Sequence, residues 1–342
     1  MFKRLFPLSI CIMGLAISPC LTFAAAPFYE GKIIRIVVGY SPGGGYDAYS
    51  RLIARHLGKH IPGNPTVIVE NMPGAGSLIA ANHIFRVAKP DGLMIANFNG
   101  GHFFGQIFGQ PGIEFDARKF EFIGAPGRDD VAFVLSKASG ITSVEQWMAS
   151  KTPVKLGGTA PGTHTPNNSI RIVEAALGLP IQLVSGYKGT ADIRLAVEGG
   201  ELAGSAWWWE SIKATWRKGL ETEEIIPVLQ AVAKPLPDLP KVPLAINLAK
   251  TEEARQLIEI GIHGGSVLAR PYVLPPGTPK DRVETLRRAL QETFKDKECI
   301  AEGEKSQLPF IPVTAEELEK VVAGLFKLDP AMIAKLKVIT SR

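Results

Sequence analysis

Apolar positions in this 342-residue chain switch repeatedly between a near-continuous strand pattern and a helical one, with glycine clusters at the joins. Ile33, Ile34, Ile36, Val37 and Val38 read as a strand buried on both faces. The run enters Ser41-Pro42-Gly43-Gly44-Gly45, after which Tyr49, Leu52, Ile53 and Leu57 follow helical spacing, with Asp47 where an N-cap belongs. A second unit repeats the order: strand Thr66–Glu70, loop Asn71-Met72-Pro73-Gly74-Ala75-Gly76-Ser77, and helix Leu78–Val87, stopped by Lys89-Pro90-Asp91-Gly92. Strand Leu93–Asn97 then meets Phe98-Asn99-Gly100-Gly101. Strands alternating with helices predict a mostly parallel sheet with helices on both faces, and in such sheets ligands sit beyond the strands' carboxyl ends.

The pattern restarts after a break at Ala125–Asp130. Strand Val131–Leu135 is followed by strand Val154–Gly158, the loop Thr159-Ala160-Pro161-Gly162-Thr163-His164-Thr165, and helix Asn167–Leu177, with Gly178 as its stop. Strand Gln182–Val184, loop Ser185–Thr190, helix Ala191–Val197 and strand Leu202–Trp208 come next. Strand Ile225–Val232 is read as the return crossing. The proline-rich segment Lys234–Pro243 resists regular structure, and the remainder reads as helices with one strand near Val267–Val273. The expected organisation is a leader at 1–24, a discontinuous first lobe of 25–127 plus 228–342, and a second lobe of 128–227. The hinge is expected at Ala125–Val131 and Ile226–Ala231.

Composition agrees with a folded protein: 46% hydrophobic and 21% charged. Lys3 and Arg4, the apolar run Leu5–Ile17 and Thr22-Phe23-Ala24 read as a secretory signal peptide cleaved near Ala24. A lipid anchor at Cys20 and an uncleaved anchor are the alternatives. Loss of the two leader cations takes the formal charge from +5 to +3, too mild and too evenly spread to argue for nucleic acid. Cys11 and Cys20 leave with the leader, so Cys299 stands alone and neither an intrachain disulfide nor a cysteine metal cluster is expected.

The first glycine loop lacks the Gly-Lys-Ser/Thr ending of a nucleotide loop and the GxGxxG spacing of a dinucleotide loop. What remains is either a tight turn or an anion site built from backbone N–H groups at a helix start. No GxSxG elbow, HExxH or paired Cys–His signature argues for an enzyme. His56, His60, His83, His102 and His263 form no metal-ligand spacing, and no cofactor is expected.

Seven segments together carry a family resemblance: Pro42–Asp47, Glu70–Gly76, Ala88–Gly92, Gly158–His164, Tyr187-Lys188-Gly189, Leu239–Pro243 and Pro275–Pro279. With these, the chain resembles the Bug-type periplasmic receptors of tripartite tricarboxylate transporters over nearly all of its mature length. The resemblance implies a two-lobed α/β periplasmic binding fold of type II, no catalysis, a monomer, and a small organic carboxylate handed to a membrane permease. It carries ligand contacts onto Tyr40, Pro42, Gly44, Gly45, Tyr46, Asp47, Asn99 and Gly100 in the first lobe. In the second lobe it carries them onto Thr159, Pro161, Thr163, His164, Tyr187, Lys188 and Gly189. A sensor in place of a permease, or an exported enzyme on a similar fold, are the rival readings.

Individual residues keep two readings each. Asp47 is a ligand contact or an N-cap alone, and His164 and Lys188 are donors to the ligand or solvent-facing loop residues. No arginine lies in these loops, so an arginine fork is not expected, although Arg128 at the crossing is within reach of the cleft. Trp207-Trp208-Trp209 departs from the resemblance. Read as a strand, it puts Trp207 and Trp209 on one face and Trp208 on the other. A tryptophan in the cleft, with Trp208 the candidate, favours an aromatic or apolar carboxylate.

Overall fold

The computed structural model describes residues 26–341, apart from Asp129 and Gly162, and without the side chains of His164 and Thr165. The expected leader therefore lies outside the described residues. Among the described residues, ten strands form two five-stranded sheets. In the first, β1 (Ile33–Val38), β2 (Thr66–Asn71), β3 (Met94–Asn97), β4 (Glu121–Gly124) and β10 (Tyr272–Leu274) lie in the order β2-β1-β3-β10-β4. In the second, β5 (Val131–Ser136), β6 (Val154–Gly157), β7 (Ile181–Val184), β8 (Gly204–Trp208) and β9 (Ile225–Ala231) lie in the order β7-β6-β8-β5-β9. Helices flank both sheets: α1 (Gly45–Leu57), α2 (Leu78–Arg86), α3 (Gly101–Phe108), α4 (Val144–Met148), α5 (Ser169–Leu177), α6 (Thr190–Glu198) and α7 (Trp209–Thr215), with further helices to Thr340. The two-lobed α/β fold expected from the sequence is the fold observed.

Each sheet contains one reversed strand, and this shapes the cleft. β10 runs antiparallel to β3 and β4, with its first residue, Tyr272, opposite Asn97 at the end of β3. β5 is antiparallel to β8 and β9, with its first residue, Val131, opposite Trp208 at the end of β8. The loops entering β10 and β5 therefore emerge at the same edge as the carboxyl ends of β1, β3 and β8.

The chain crosses from the first sheet to the second between Gly124 and Val131. The stretch expected to carry it back, Ile226–Ala231, is β9, an edge strand of the second sheet. Buried Gln230 pins the proline-rich segment beyond it, donating to the carbonyls of Leu239 and Val242 and accepting from the Leu236 N–H. The helix Glu252–Ile258 then buries Ala254, Leu257 and Ile258 with the α5 residues Ile170, Ile172 and Val173, so the chain rejoins the first sheet only at β10. The helix Pro330–Thr340 packs on both α3 and α5 and lies astride the two halves. Among the described residues no helix is long and apolar enough to cross a membrane.

Candidate functional site

A small cavity of about 10 Å³, room for about one water molecule, lies where the loops of the two sheets meet. Its walls are Tyr40, Gly44, Gly45, Tyr46 and Arg270 from the first-sheet side and Thr159, Pro166, Thr190, Trp207 and Ser211 from the second. The two sides touch. Ser41 Oγ donates to Asp192 Oδ2 at 2.7 Å, the Ser41 N–H donates to the Lys188 carbonyl at 3.3 Å, and Tyr49 stacks on Trp208 at 4.9 Å. A methyl on Gly44 would come within 2.8 Å of Thr190 Oγ1, so glycine there permits the close approach.

The first loop is braced from behind. α1 begins at Gly45 with Gly44 as N-cap, so Asp47 sits in the first turn and is not the cap. Its carboxylate accepts from the Gly43 N–H, from Arg51 Nε and from Asn71 Nδ2 at 2.9, 2.9 and 3.0 Å. Burial pushes this carboxyl up, and those three hydrogen bonds outweigh burial and hold it below its ordinary range. Asp47 is spent on the loop. Tyr40 donates to the Gly76 carbonyl at 3.2 Å, and burial raises its phenol to about 12. His102 Nε2 contacts that same carbonyl at 2.7 Å, and burial lowers His102 to about 4, so the ring is neutral near pH 7.

The residues singled out from the sequence separate into three groups. Tyr40, Gly44, Gly45, Tyr46 and Thr159 line the cavity. Asp47, Asn99, Gly100, Thr163 and Gly189 are buried next to it but serve the loops. Asn99 Oδ1 accepts from the Gly101 N–H, Thr163 Oγ1 donates to the Ala160 carbonyl, and Gly100 is pressed against the Leu268 carbonyl, where a Cβ would stand at 1.9 Å. Pro42, Pro161 and Lys188 are exposed and Tyr187 is half-buried, and none of the four lines the cavity. The His164 side chain lies outside the described residues.

The tryptophan run behaves differently from its strand reading. β8 stops at Trp208 and Trp209 opens α7, so the alternation breaks after two residues. Trp207 faces the cavity with its indole N–H unpartnered and stacks on Trp216 at 5.6 Å. Trp208 instead fills the seam between the halves, beside Tyr49 and Leu52. Trp209 donates to Asp238.

An arginine does reach the cleft, and it is not Arg128, which pairs with Glu317 at 2.5 Å on the surface. Arg270 precedes the reversed strand β10 and is thereby carried to the cleft edge. Its Nη2 donates to Ser211 Oγ at 2.8 Å, and the guanidinium lies 4.1 Å from the ring centre of Trp208 and 4.4 Å from that of Tyr46. Its Nε and Nη1 are buried without a partner.

Two other places fit a ligand less well. His56, Asp296 and Glu298 approach metal-site spacing, but Lys59 Nζ already bonds Asp296 and Glu298, and His56 bonds Glu302. A larger hollow of about 700 Å³ lies at the far edge of the second sheet beside Pro153, Leu202 and Ile225, and no buried, unpartnered side-chain donor lines it.

The chain matches the model of the tripartite tricarboxylate transporter family receptor over residues 50–337. It is 26% identical over 333 residues to a Cupriavidus necator protein known as the UPF0065 protein in the gbd 5' region, covering 95% of this chain and 93% of that one. Among solved structures, the periplasmic binding protein BugD superposes with a TM-score of 0.73 at 20% identity, covering 91% and 98% of the two chains. An adipate complex from Rhodopseudomonas palustris gives 0.72 at 20% identity over 91% and 98%. MatC of the same organism, with bound malate, gives 0.71 at 18% identity over 91% and 99%. This chain belongs to the tripartite tricarboxylate transporter receptor family.

Proposed function

We propose that the protein is an exported receptor that closes its two halves around a small organic carboxylate and delivers it to the membrane permease of a tripartite-type transporter, without catalysis. One observation carries this reading: a cavity walled from both sheets holds buried N–H donors, on Arg270 and Trp207, that lack acceptors. Buried donors are ordinarily satisfied, and a carboxylate brings several acceptor sites in one group. The malate and adipate held by two structural neighbours belong to that class. The contacts across the cleft, with room for about one water between them, belong to an arrangement closed without a ligand. Ligand entry then requires the halves, built on 25–127 with the C-terminal part and on 128–227 with the helices packed on it, to part first.

Trp207 and Tyr46 give the cavity an aromatic side, which suits a carboxylate with a ring or apolar chain. The proposed unit is a monomer. The leader at 1–24 fits delivery to the periplasm.

A thermal-shift screen of the chain from residue 25 tests the reading. Malate, adipate and benzoate serve as probes, with glucose and putrescine as controls. A ligand at a hundredfold excess over its dissociation constant adds about 2.7 kcal/mol to stability. A rise confined to carboxylates is expected. A rise with glucose or putrescine alone overturns the reading.

A further inference from the structure

Arg270 is the one lysine or arginine buried among the described residues, at 3% exposure. Several other arginines pair with acids: Arg51 with Asp47, Arg55 with Glu302, Arg287 with Glu319. Arg270 has a serine hydroxyl as its hydrogen-bond partner, and no carboxylate among the described residues lies within ion-pair distance of it. The rings of Trp208, Tyr46 and Tyr49 lie 4.1, 4.4 and 5.6 Å from its guanidinium carbon. These rings bring cation–π attraction but no oxygen or nitrogen acceptor for the guanidinium N–H groups. A buried cation without counter-charge is unfavourable, and so are buried N–H groups without acceptors. Both deficits fall at the cavity wall, and one carboxylate removes both.

The geometry points to Arg270 as the anion anchor of the cleft and as the residue that ties ligand charge to closure. The guanidinium enters from the β10 side and touches Ser211 and Trp208, both carried by the other sheet. The cavity here has room for about one water, so the halves draw slightly apart to seat a carboxylate on Arg270, and its hold is best when they close again as far as that ligand allows. The charge selects anions over neutral or cationic solutes, and because the group is buried the preference persists at high salt. This inference rests on the carboxylate-receptor reading.

The test compares the wild type with Arg270→Met and Arg270→Lys by calorimetric titration with malate, adipate and benzoate, with adipamide as the neutral match for adipate. Ligand-free melting temperatures are measured alongside. The wild type is expected to bind at least one acid and to ignore adipamide. Arg270→Met is expected to bind that acid about 10- to 100-fold more weakly, with Arg270→Lys between the two. Without ligand, Arg270→Met is expected to melt at or above the wild type, because the substitution removes an unpaired buried charge. If the wild type binds an acid and Arg270→Met binds it within threefold while melting lower, Arg270 is a structural residue and the inference falls. If the wild type binds none of the three acids, the receptor reading falls and the anchor with it.

Discussion

Replacing Gly45 with alanine adds one methyl where the two halves come closest. An ideal Cβ at Gly45 lies 2.1 Å from Ser211 Oγ, 2.6 Å from Ser211 Cβ and 3.2 Å from Arg270 Nη1. The Gly45 backbone is the first residue of α1 and has no positive φ, so alanine is tolerated locally and suits a helix better than glycine. Ser211 stands on the other half, in α7, so the cheapest relief is for that half to draw back. Moving from 2.1 Å to the 3.4 Å of ordinary contact needs a retreat of about 1.3 Å. That breaks the 2.8 Å bond from Arg270 to Ser211 and loosens the 4.9 Å stack of Tyr49 on Trp208. A hydrogen bond involving a charged group contributes ~1.5–3 kcal/mol and an aromatic pair ~0.5–1.5 kcal/mol. With part of each lost, the closed arrangement weakens by about 2 kcal/mol, roughly a 30-fold rise in dissociation constant. Calorimetric titration reads the affinity, and a circular-dichroism melt should move by no more than ~3 °C. In the Gly45→Ala background, Ser211→Gly removes both clashing atoms, so the double variant should bind like Ser211→Gly alone. Binding by Gly45→Ala within threefold of wild type, or simple addition of the two penalties, would refute the reasoning.

Other outcomes follow from named groups. His102 titrates at about 4 when folded and near 6.5 when free, so the unfolded chain binds the extra proton between those values. Stability should fall as pH drops from about 6.5 to 4, by up to about 3 kcal/mol, and urea midpoints for His102→Gln should decline less over that window. Asp47, held below its ordinary range, stabilises the fold above about pH 4 and loses that contribution as the pH falls through its folded pKa; Asp47→Asn should lower the wild-type urea midpoint at pH 7 and flatten its acid limb. Trp207→Ala and Trp208→Ala each open a cavity at a buried site and should each cost about 3–5 kcal/mol in urea unfolding. Carboxylate binding should separate them, since Trp208 carries the contact between the halves and Trp207 the cavity wall.

The βα units were legible because their apolar spacing, glycine stops and proline breaks are local signals. Ile33–Val38 is a strand as read, although Ile33 and Arg35 face solvent and only its second half is buried on both faces, and Gly178 ends α5 with φ +67°. The strands' direction was not legible. A three-residue strand such as Tyr272–Leu274 looks the same in sequence whichever way it runs, and its reversal is what delivers Arg270 to the cleft. Trp209 was misplaced because β-propensity favours tryptophan, while tertiary contacts turn the chain into α7 one residue early. α3 is not legible because it opens on Gly101 behind the N-cap Gly100, both poor helix formers, and Gly100 fits beneath Leu268. Asp47 resembled a cap in sequence; three donors converging on it from Gly43, Arg51 and Asn71 gave it a different task. An arginine just before a short apolar strand, as at Arg270-Pro271-Tyr272, was the available hint of the charge in the cleft.

The most direct test is a tryptophan-fluorescence titration of the chain from residue 25 with malate, adipate and benzoate, because Trp207 lines the cavity and Trp208 spans the seam. The account predicts a saturable change with at least one carboxylate, none with glucose or putrescine, and a curve moved to about 30-fold higher concentration in Gly45→Ala. A flat signal with every carboxylate on refolded protein, or an unshifted curve in Gly45→Ala, would contradict it.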